Sequence, residues 1–234
     1  MFAHNNIAAL PNINLPSSVG PSTDGGLHFG ATRFHPHPSL LGTVHSYGKG
    51  EEIYGDDEPA DYVYEVVSGA VRTCKLLDDG RRQIGAFHLP GDIFGLESDA
   101  THRMIADAVI DTTLRLVRRK SLEAAALTDI GVANALRALT ARDLRHAEDH
   151  MILLGRKTAL ERVVTFLLEM DRRLAVAGMF ELPMCRRDIG DYLGLTLETV
   201  SRVISQLHGK GALGLSSARQ IVLRNRQLLS AMTV

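Results

Sequence analysis

The sequence is short of cysteine, lacks tryptophan and has no long uninterrupted apolar run. Its two cysteines, Cys74 and Cys185, are too few and too far apart for a disulfide framework or a cysteine metal cage. No apolar stretch reaches the roughly eighteen residues that a bilayer span requires. The N-terminus also lacks the charged and apolar segments of a secretion signal. We therefore expect a soluble, cytoplasmic protein that acts without a membrane.

An excess of charge of one sign is also missing, because 26 Lys and Arg face 27 Asp and Glu. The balance is uneven along the chain, however. Residues 181–226 carry seven bases and four acids, whereas residues 51–61 carry six acids and no base. Such asymmetry is expected of a protein that touches nucleic-acid phosphate with one end only.

The N-terminal half divides into an arm and a β-rich region. Residues 1–27 hold three prolines, three glycines and almost no charge, which predicts a flexible arm. In residues 28–128, short β-rich runs alternate with turns such as those at 78–80 and 90–92. This pattern predicts a β-roll of jelly-roll type, with an unclosed β-rich domain as the alternative.

Residues 186–211 predict two short amphipathic helices separated by Gly194. Thr196 is a candidate N-cap of the second helix. Gly190 stands where the two helices would cross, so a larger side chain there would hold their axes apart. Two helices joined in this way form a helix-turn-helix, and an ordinary helical hairpin is the alternative.

The second helix carries polar residues opposite its apolar face, namely Glu198, Ser201 and Arg202. Such a face can lie in a DNA major groove against the base edges. Two apolar runs around residues 213–215 and 221–223 then predict a small hairpin wing. We therefore predict a winged helix-turn-helix over residues 156–234.

A long helix is predicted over residues 129–155, with Asp129 as its cap and a short helix before it. Its narrow apolar seam packs on its own domain or pairs with a copy of itself. We favour a homodimer, because one reading helix covers too few bases to be selective. The predicted dimerisation residues are Leu136, Leu139, Leu144, Ala147, Met151 and Leu154.

This order of β-roll, long helix and winged helix-turn-helix resembles the CRP/FNR superfamily of transcription regulators, in particular its FixK-like branch. The match rests on PGDIFGLE (Pro90–Glu97), the seam helix and DIGDYLGLTLETVSR (Asp188–Arg202). The resemblance implies an α+β fold whose roll is similar to a cyclic-nucleotide-binding domain. It also implies a homodimeric activator that binds an inverted repeat of TTGA half-sites in double-stranded DNA and recruits RNA polymerase.

The resemblance also implies roles for single residues of the reading helix. Arg202 would contact guanine, Glu198 the amino group of cytosine and Ser201 a thymine; the first two pairings are also sound chemistry. Leu197 is expected at a thymine methyl. Phosphate contacts position a protein without specifying sequence, and we assign them to Arg186, Arg187, Thr196, Thr199 and Lys210.

The resemblance also bears on the regulatory signal. Iron–sulfur sensors of the superfamily use several cysteines, so two cysteines exclude a four-thiolate cluster. Cyclic-nucleotide binders carry an Arg-Ser pair where this chain has Arg103 and Met104. We expect no cofactor, with a cyclic-nucleotide- or haem-responsive regulator as the alternative. The candidate haem ligands are His45, His88, His102 and Cys74.

Cys185 directly precedes Arg186 and Arg187 at the start of the first motif helix. The helix N-terminus and the two arginines favour thiolate, which is the form that oxidises. A sulfenate or sulfinate would add negative charge and bulk beside DNA phosphate. We hypothesise that oxidation of Cys185 weakens DNA binding; the alternative is a cysteine that merely replaces a capping hydroxyl.

A β-roll would also suit a cupin-type metalloenzyme, which needs a His-x-His pair with a downstream Glu and a further His. His35 and His37 form such a pair, but they precede the strand-like runs, which begin at Leu41, and no Glu follows before Glu51. His146 and His150 lie four residues apart on the predicted long helix, a spacing that could bind a metal ion, but the sequence offers no second pair of ligands. We therefore predict no metal site and no enzymatic activity.

Overall fold

The computed structural model describes most of the chain, namely residues 28–29, 32–33, 40–176, 178–217 and 219–233. The predicted arm of residues 1–27 and the pair His35 and His37 lie outside the described residues. Among the residues that it does describe, no helix has the length and apolar character needed to cross a membrane.

Thirteen strands are formed in the described residues. In chain order they are β1 (His28–Phe29), β2 (Thr32–Arg33), β3 (Thr43–Tyr47), β4 (Glu52–Tyr54), β5 (Tyr62–Ser68), β6 (Val71–Leu76), β7 (Arg82–His88), β8 (Ile93–Phe94), β9 (Ile105–Ala108), β10 (Thr112–Arg118), β11 (Met179–Glu181), β12 (Leu213–Leu215) and β13 (Gln220–Leu223). Six helices accompany them: α1 (Arg119–Thr128), α2 (Ile130–Arg156), α3 (Ala159–Leu174), α4 (Arg186–Leu193), α5 (Leu197–Gly209) and α6 (Arg226–Ala231).

The roll consists of two four-stranded antiparallel sheets, in the orders β3-β10-β5-β8 and β4-β9-β6-β7. Buried side chains of both sheets meet between them, for example Tyr64 and Leu114 from the first sheet and Tyr54 and Val71 from the second. The predicted α+β fold with a β-roll is therefore confirmed.

The helix α2 begins where the sequence predicts, because Asp129 accepts hydrogen bonds from the backbone nitrogens of Gly131 (2.7 Å) and Val132 (3.4 Å). Its 27 residues give a rod of about 40 Å. Val132 and Leu139 bury one face of α2 against α1 and the roll. The long helix is thus fixed to the roll of its own chain.

The C-terminal motif is a winged helix-turn-helix built from α4, α5 and a small sheet in the order β11-β13-β12. Gly194 ends α4 in the left-handed conformation, with φ 61°. A Cβ at Gly190 would lie 2.6 Å from the carbonyl oxygen of Leu195, so only glycine allows this close crossing. The wing strands follow the predicted runs, whereas β11 and α6 were not predicted.

The roll and the C-terminal domain share one apolar core. Phe87 on β7 contacts Tyr192 of α4, with ring centroids 5.4 Å apart, and Phe166 of α3 at 6.3 Å. Cys74 and Ile84 of the roll belong to the same buried cluster. The helix-turn-helix is therefore docked on the outer face of β6 and β7.

Candidate nucleic-acid interface

The predicted base-reading residues Glu198, Ser201 and Arg202 lie on the first two turns of α5, and we call the surface that they form the reading face. Val200, Val203, Ile204 and Leu207 bury the opposite side of this helix in the shared core. Glu198 and Arg202 are exposed and Ser201 is half-buried. The three predicted base-reading side chains therefore share one accessible face of a helix whose other face is anchored.

The N-cap of α5 is connected to the reading face by hydrogen bonds. Thr196 accepts a hydrogen bond from the backbone nitrogen of Thr199 (3.2 Å), as the sequence predicts. Thr199 in turn accepts one from Nη2 of Arg202 at 3.3 Å. Thr199, which we assigned to phosphate contact, therefore orients the arginine in the free protein.

The charge of Glu198 is favoured by its position at the start of α5. Hydrogen bonds from its own backbone nitrogen and from Thr196, together with the charge of Arg187, lower the pKa of Glu198 below its usual value. An ionised carboxylate only accepts hydrogen bonds, which suits the amino group of cytosine.

The residues assigned to phosphate contact are not placed alike. Arg187 and Lys210 are exposed, whereas Arg186 is half-buried and burial lowers the pKa of its guanidinium. Lys210 follows the last residue of α5, about 20 Å along the axis from Leu197. Arg187 is thus the better-placed cation beside the reading face, and Arg186 is partly committed to the protein interior.

Cys185 is the exposed N-cap of α4. It forms a reciprocal capping box with Asp188, whose Oδ2 accepts from the backbone nitrogen of Cys185 at 3.0 Å. The thiol borders a cleft of about 1000 Å³ between the roll and the helix-turn-helix, which Arg187 and Glu198 also line. The two arginines beside Cys185 were predicted from the sequence, whereas the carboxylate of Asp188 was not.

Asp188 is itself buried and paired with two arginines of the roll. Burial raises its pKa, but hydrogen bonds from Cys185 and the charges of Arg72 and Arg82 outweigh this effect and lower the pKa overall. The spacing of Cys185 and Asp188 reveals the capping box in the sequence. The arginines lie more than a hundred residues away, and no sequence pattern points to them.

The structure divides the six predicted dimerisation residues into two groups. Leu139 is only 4% exposed and Leu136 packs beside it, so both face the chain's own roll. Leu144 and Met151 are 59% and 67% exposed, and Ala147 is exposed between them. Leu154 is half-buried. The free part of the seam is therefore its C-terminal half.

A second cavity, of about 940 Å³, lies between the roll, α2 and α3. His88, Met104, His146 and His150 are among the residues that line it. Arg103, which stands where nucleotide binders carry their phosphate-gripping arginine, is exposed and is not among the lining residues. The cavity thus presents Met104 at the position of the pair's serine, and the arginine of the pair, Arg103, lies outside it.

The remaining candidate ligands of the roll are dispersed. His45 is exposed on β3, whereas His102 is buried and stacks on Tyr54 with a centroid distance of 3.5 Å. Cys74 is buried, and burial raises the pKa of its thiol. Within the described part of the chain, no group of three or more His, Cys, Asp or Glu side chains is arranged to hold a metal ion.

Comparison with known proteins agrees with this architecture. Residues 44–129 match the cyclic nucleotide-binding domain family, and residues 161–232 match the Crp-like helix-turn-helix domain family. The nitrogen fixation regulation protein FixK of Azorhizobium caulinodans is 48% identical over 196 residues, which cover 82% of this chain and 79% of the relative. The FixK of Rhizobium meliloti is 38% identical over 195 residues, or 83% and 88% of the two chains.

Among solved structures, FixK2 from Bradyrhizobium japonicum is 72% identical and superposes with a TM-score of 0.82, over 83% of this chain and 98% of the other. These similarities span the roll, the long helix and the DNA-binding motif together, and the proteins concerned are transcription regulators rather than enzymes. The chain belongs to the CRP/FNR family of transcription regulators, in its FixK-like branch.

Proposed function

We propose that this DNA-binding regulator is a homodimeric transcription activator that reads an inverted repeat of TTGA half-sites. The observation that carries the proposal is the accessible face formed by Glu198, Ser201 and Arg202 on a helix anchored along its other side. Arg202 pairs with guanine, Glu198 accepts from cytosine and Ser201 contacts a thymine. Leu197 lies beside the thymine methyl.

Phosphate contacts surround this reading face. Arg187 neutralises phosphate from the start of α4, and Lys210 does so from the far end of α5. Thr196, Thr199 and Arg186 complete the proposed set of contacts to the DNA backbone. These contacts fix the register of the protein on the duplex and carry no sequence information.

The homodimer forms through the C-terminal half of α2. The apolar side chains of Leu144 and Met151 are mostly exposed, and Ala147 and Leu154 continue the same stripe. A two-fold symmetric pair presents two reading helices in opposite directions, so the matching target is an inverted repeat.

The activator role extends the names of relatives to this chain. The Anr protein of Pseudomonas protegens, a transcriptional activator, is 38% identical over 164 residues. By this analogy the bound dimer recruits RNA polymerase through exposed loops. The work is divided among the roll (28–128), the dimerisation helix (129–155) and the DNA-binding domain (156–234).

In this proposal, oxidation of Cys185 by hydrogen peroxide switches DNA binding off: the thiolate sulfur bonds to one peroxide oxygen, the O–O bond breaks, and a sulfenate and water are formed. The thiol is reachable from the cleft beside α5. A sulfenate or sulfinate there would place a second negative group against the carboxylate of Asp188, which caps the same helix. Like-charge repulsion would disturb the start of α4 and, with it, the phosphate contact of Arg187.

A band-shift titration tests base reading directly. The probe is a duplex with two TTGA half-sites, compared with a random duplex of equal length. We expect Arg202→Ala to lose most of the difference between the two probes, and Arg187→Ala to weaken binding to both probes alike. Equal losses on both probes for both variants would contradict the division between reading and positioning.

A further inference from the structure

The outer face of the roll holds α4 through a cluster of ion pairs. Nη1 of Arg72 and Nη2 of Arg82 each donate to Oδ1 of Asp188 at 2.7 Å. Arg82 also contacts Oδ2 of Asp191 at 2.7 Å, and Nη2 of Arg72 pairs with Asp107 of β9 at 2.7 Å. The cluster therefore joins three strands of the roll, β6, β7 and β9, to α4.

These ion pairs are shielded from solvent. The side chain of Asp188 is 7% exposed, and those of Arg72 and Arg82 are 17% and 20% exposed. Ion pairs in such surroundings are screened less by salt than surface pairs are, and the fixed fork of a guanidinium gives them direction. The neighbouring contact of Phe87 and Tyr192 stabilises the packing of α4 on the roll, but apolar contacts are non-directional and do not fix the angle of α4.

Asp188 connects this cluster to the start of α4. One carboxylate oxygen accepts from the two roll arginines, and the other accepts from the backbone nitrogen of Cys185 at 3.0 Å. In addition, the side-chain amide of Gln83 donates to the carbonyl oxygen of Tyr192 at 3.2 Å. Both ends of α4 are thus tied to the strand pair β6–β7.

The orientation of α4 is passed to α5 through a tight turn. The backbone nitrogen of Leu195 donates to the carbonyl oxygen of Gly190 at 2.9 Å. The absence of a side chain at Gly190 lets the two segments touch. The two helices therefore turn as one unit, and a rotation of α4 on the roll would move the reading face equally.

The roll also carries α2, because Val132 and Leu139 bury α2 against it. Roll and α2 form a frame that holds the proposed dimer seam at one side and α4 at the other. We propose that Arg72 and Arg82 are positioning residues for DNA reading, which fix the angle of the helix-turn-helix on this frame and thereby the spacing of the two reading helices. This inference rests on the proposed homodimer.

The test measures how strictly the full-length protein selects half-site spacing. Symmetric duplexes carry two TTGA half-sites at the spacing that wild type prefers, or with one or two base pairs inserted or removed. A further duplex carries a single half-site. The variant is Arg72→Gln with Arg82→Gln. The matched control is Arg81→Gln, whose side chain is 77% exposed and pairs with Asp79 at the β6–β7 turn.

We expect the double variant to lose about tenfold of the preference for the optimal spacing, a usual size for coupling between two sites. Its affinity for the single half-site should equal that of wild type, and Arg81→Gln should keep both properties. An unchanged spacing preference would overturn the proposal. So would a loss of half-site affinity as large as the loss on the full site.

A second variant guards against loss of folding. Arg72→Lys with Arg82→Lys keeps both charges but removes the guanidinium forks. We expect this variant to bind the half-site normally and to lose less of the spacing preference than the glutamine variant does. An unchanged spacing preference, or a loss of half-site affinity as large as the loss on the full site, would again overturn the proposal. If wild type itself binds single and paired half-sites equally well, the proposed dimeric reading fails, and the positioning role falls with it.

Discussion

The two helices of the DNA-binding motif use their polar residues in opposite ways. On α4, Asp188 and Asp191 point at the roll and pair with its arginines. On α5, Glu198 and Arg202 point into solvent. Both helices are amphipathic, so the sequence alone predicts that the charged residues of both are exposed to solvent. The first helix therefore anchors the motif, whereas the polar face of the second stays accessible.

The largest effect is expected where α4 is anchored. Asp188→Ala removes the acceptor shared by Arg72 and Arg82 and leaves two shielded charges without this partner. The variant should lose about 3 kcal/mol of unfolding free energy, as is typical when one partner of a buried ion pair is removed. Chemical denaturation in urea measures this loss.

Asp191→Ala is the control for the same helix, because its side chain is 26% exposed and Arg82 keeps Asp188 as a second partner. Its loss should be about 1 kcal/mol or less, in line with partly exposed ion pairs. Equal losses for both aspartates would mean that the anchoring role of Asp188 is wrong.

The second effect concerns the free helix. Arg202→Ala should weaken specific binding by about 2 kcal/mol per half-site, the usual worth of one arginine–guanine pair. Its unfolding free energy should stay within about 0.5 kcal/mol of wild type, since surface substitutions seldom cost more. Band shifts and urea titrations on the same preparation separate the two quantities. A stability loss as large as that of Asp188→Ala would erase the contrast between the helices.

The third effect tests another inward contact of α4. Tyr192 stacks on His150 of α2 with a centroid distance of 4.2 Å. Both ring nitrogens of His150 are buried and lack a hydrogen-bond partner among the described residues. Burial, with a contribution from the charge of His146, lowers the pKa of His150 to about 4. The folded protein therefore favours the neutral ring, whereas the unfolded chain binds a proton below its ordinary pKa of about 6.5.

Stability should therefore fall as the pH drops from about 6.5 towards 4, by roughly 1 kcal/mol at pH 5.5 for this histidine. His88, whose pKa burial also lowers to about 4, acts in the same direction. His150→Phe keeps a ring against Tyr192 and removes one titration, so unfolding measured across this range should show a shallower dependence. An unchanged slope in this variant would argue against a neutral, buried His150.

The smallest effect is expected at the cap of α4. Cys185→Ser retains a capping side chain, so unfolding free energy and DNA binding under reducing conditions should change by less than about 0.5 kcal/mol. After mild peroxide, wild type should lose DNA binding and the variant should keep it, as judged by band shifts. Equal loss in both proteins would remove Cys185 as the redox-sensitive residue.

Local signals in the sequence predicted local structure well. Asp129 and Thr196 cap the predicted helices, and Gly190 occupies the predicted crossing, because each depends on neighbours within a few residues. The burial of Leu139 could not be predicted, because periodicity places a residue on a stripe without saying which partner covers it.

The anchoring of α4 was equally hidden from the sequence. Arg72 and Arg82 are separated from Asp188 by 116 and 106 positions, so their pairing is a result of tertiary packing. Strand β11 was missed for a similar reason. Its three residues gain strand geometry from pairing with β13 rather than from their own pattern.

Selection of binding sites from random DNA by the full-length wild-type protein, under reducing conditions, tests the central claim most directly. If the exposed face of α5 reads DNA as part of a dimer, the selected sequences should contain two TTGA half-sites as an inverted repeat with one fixed spacing. Selection of a single half-site, of a direct repeat or of no common sequence would contradict the account.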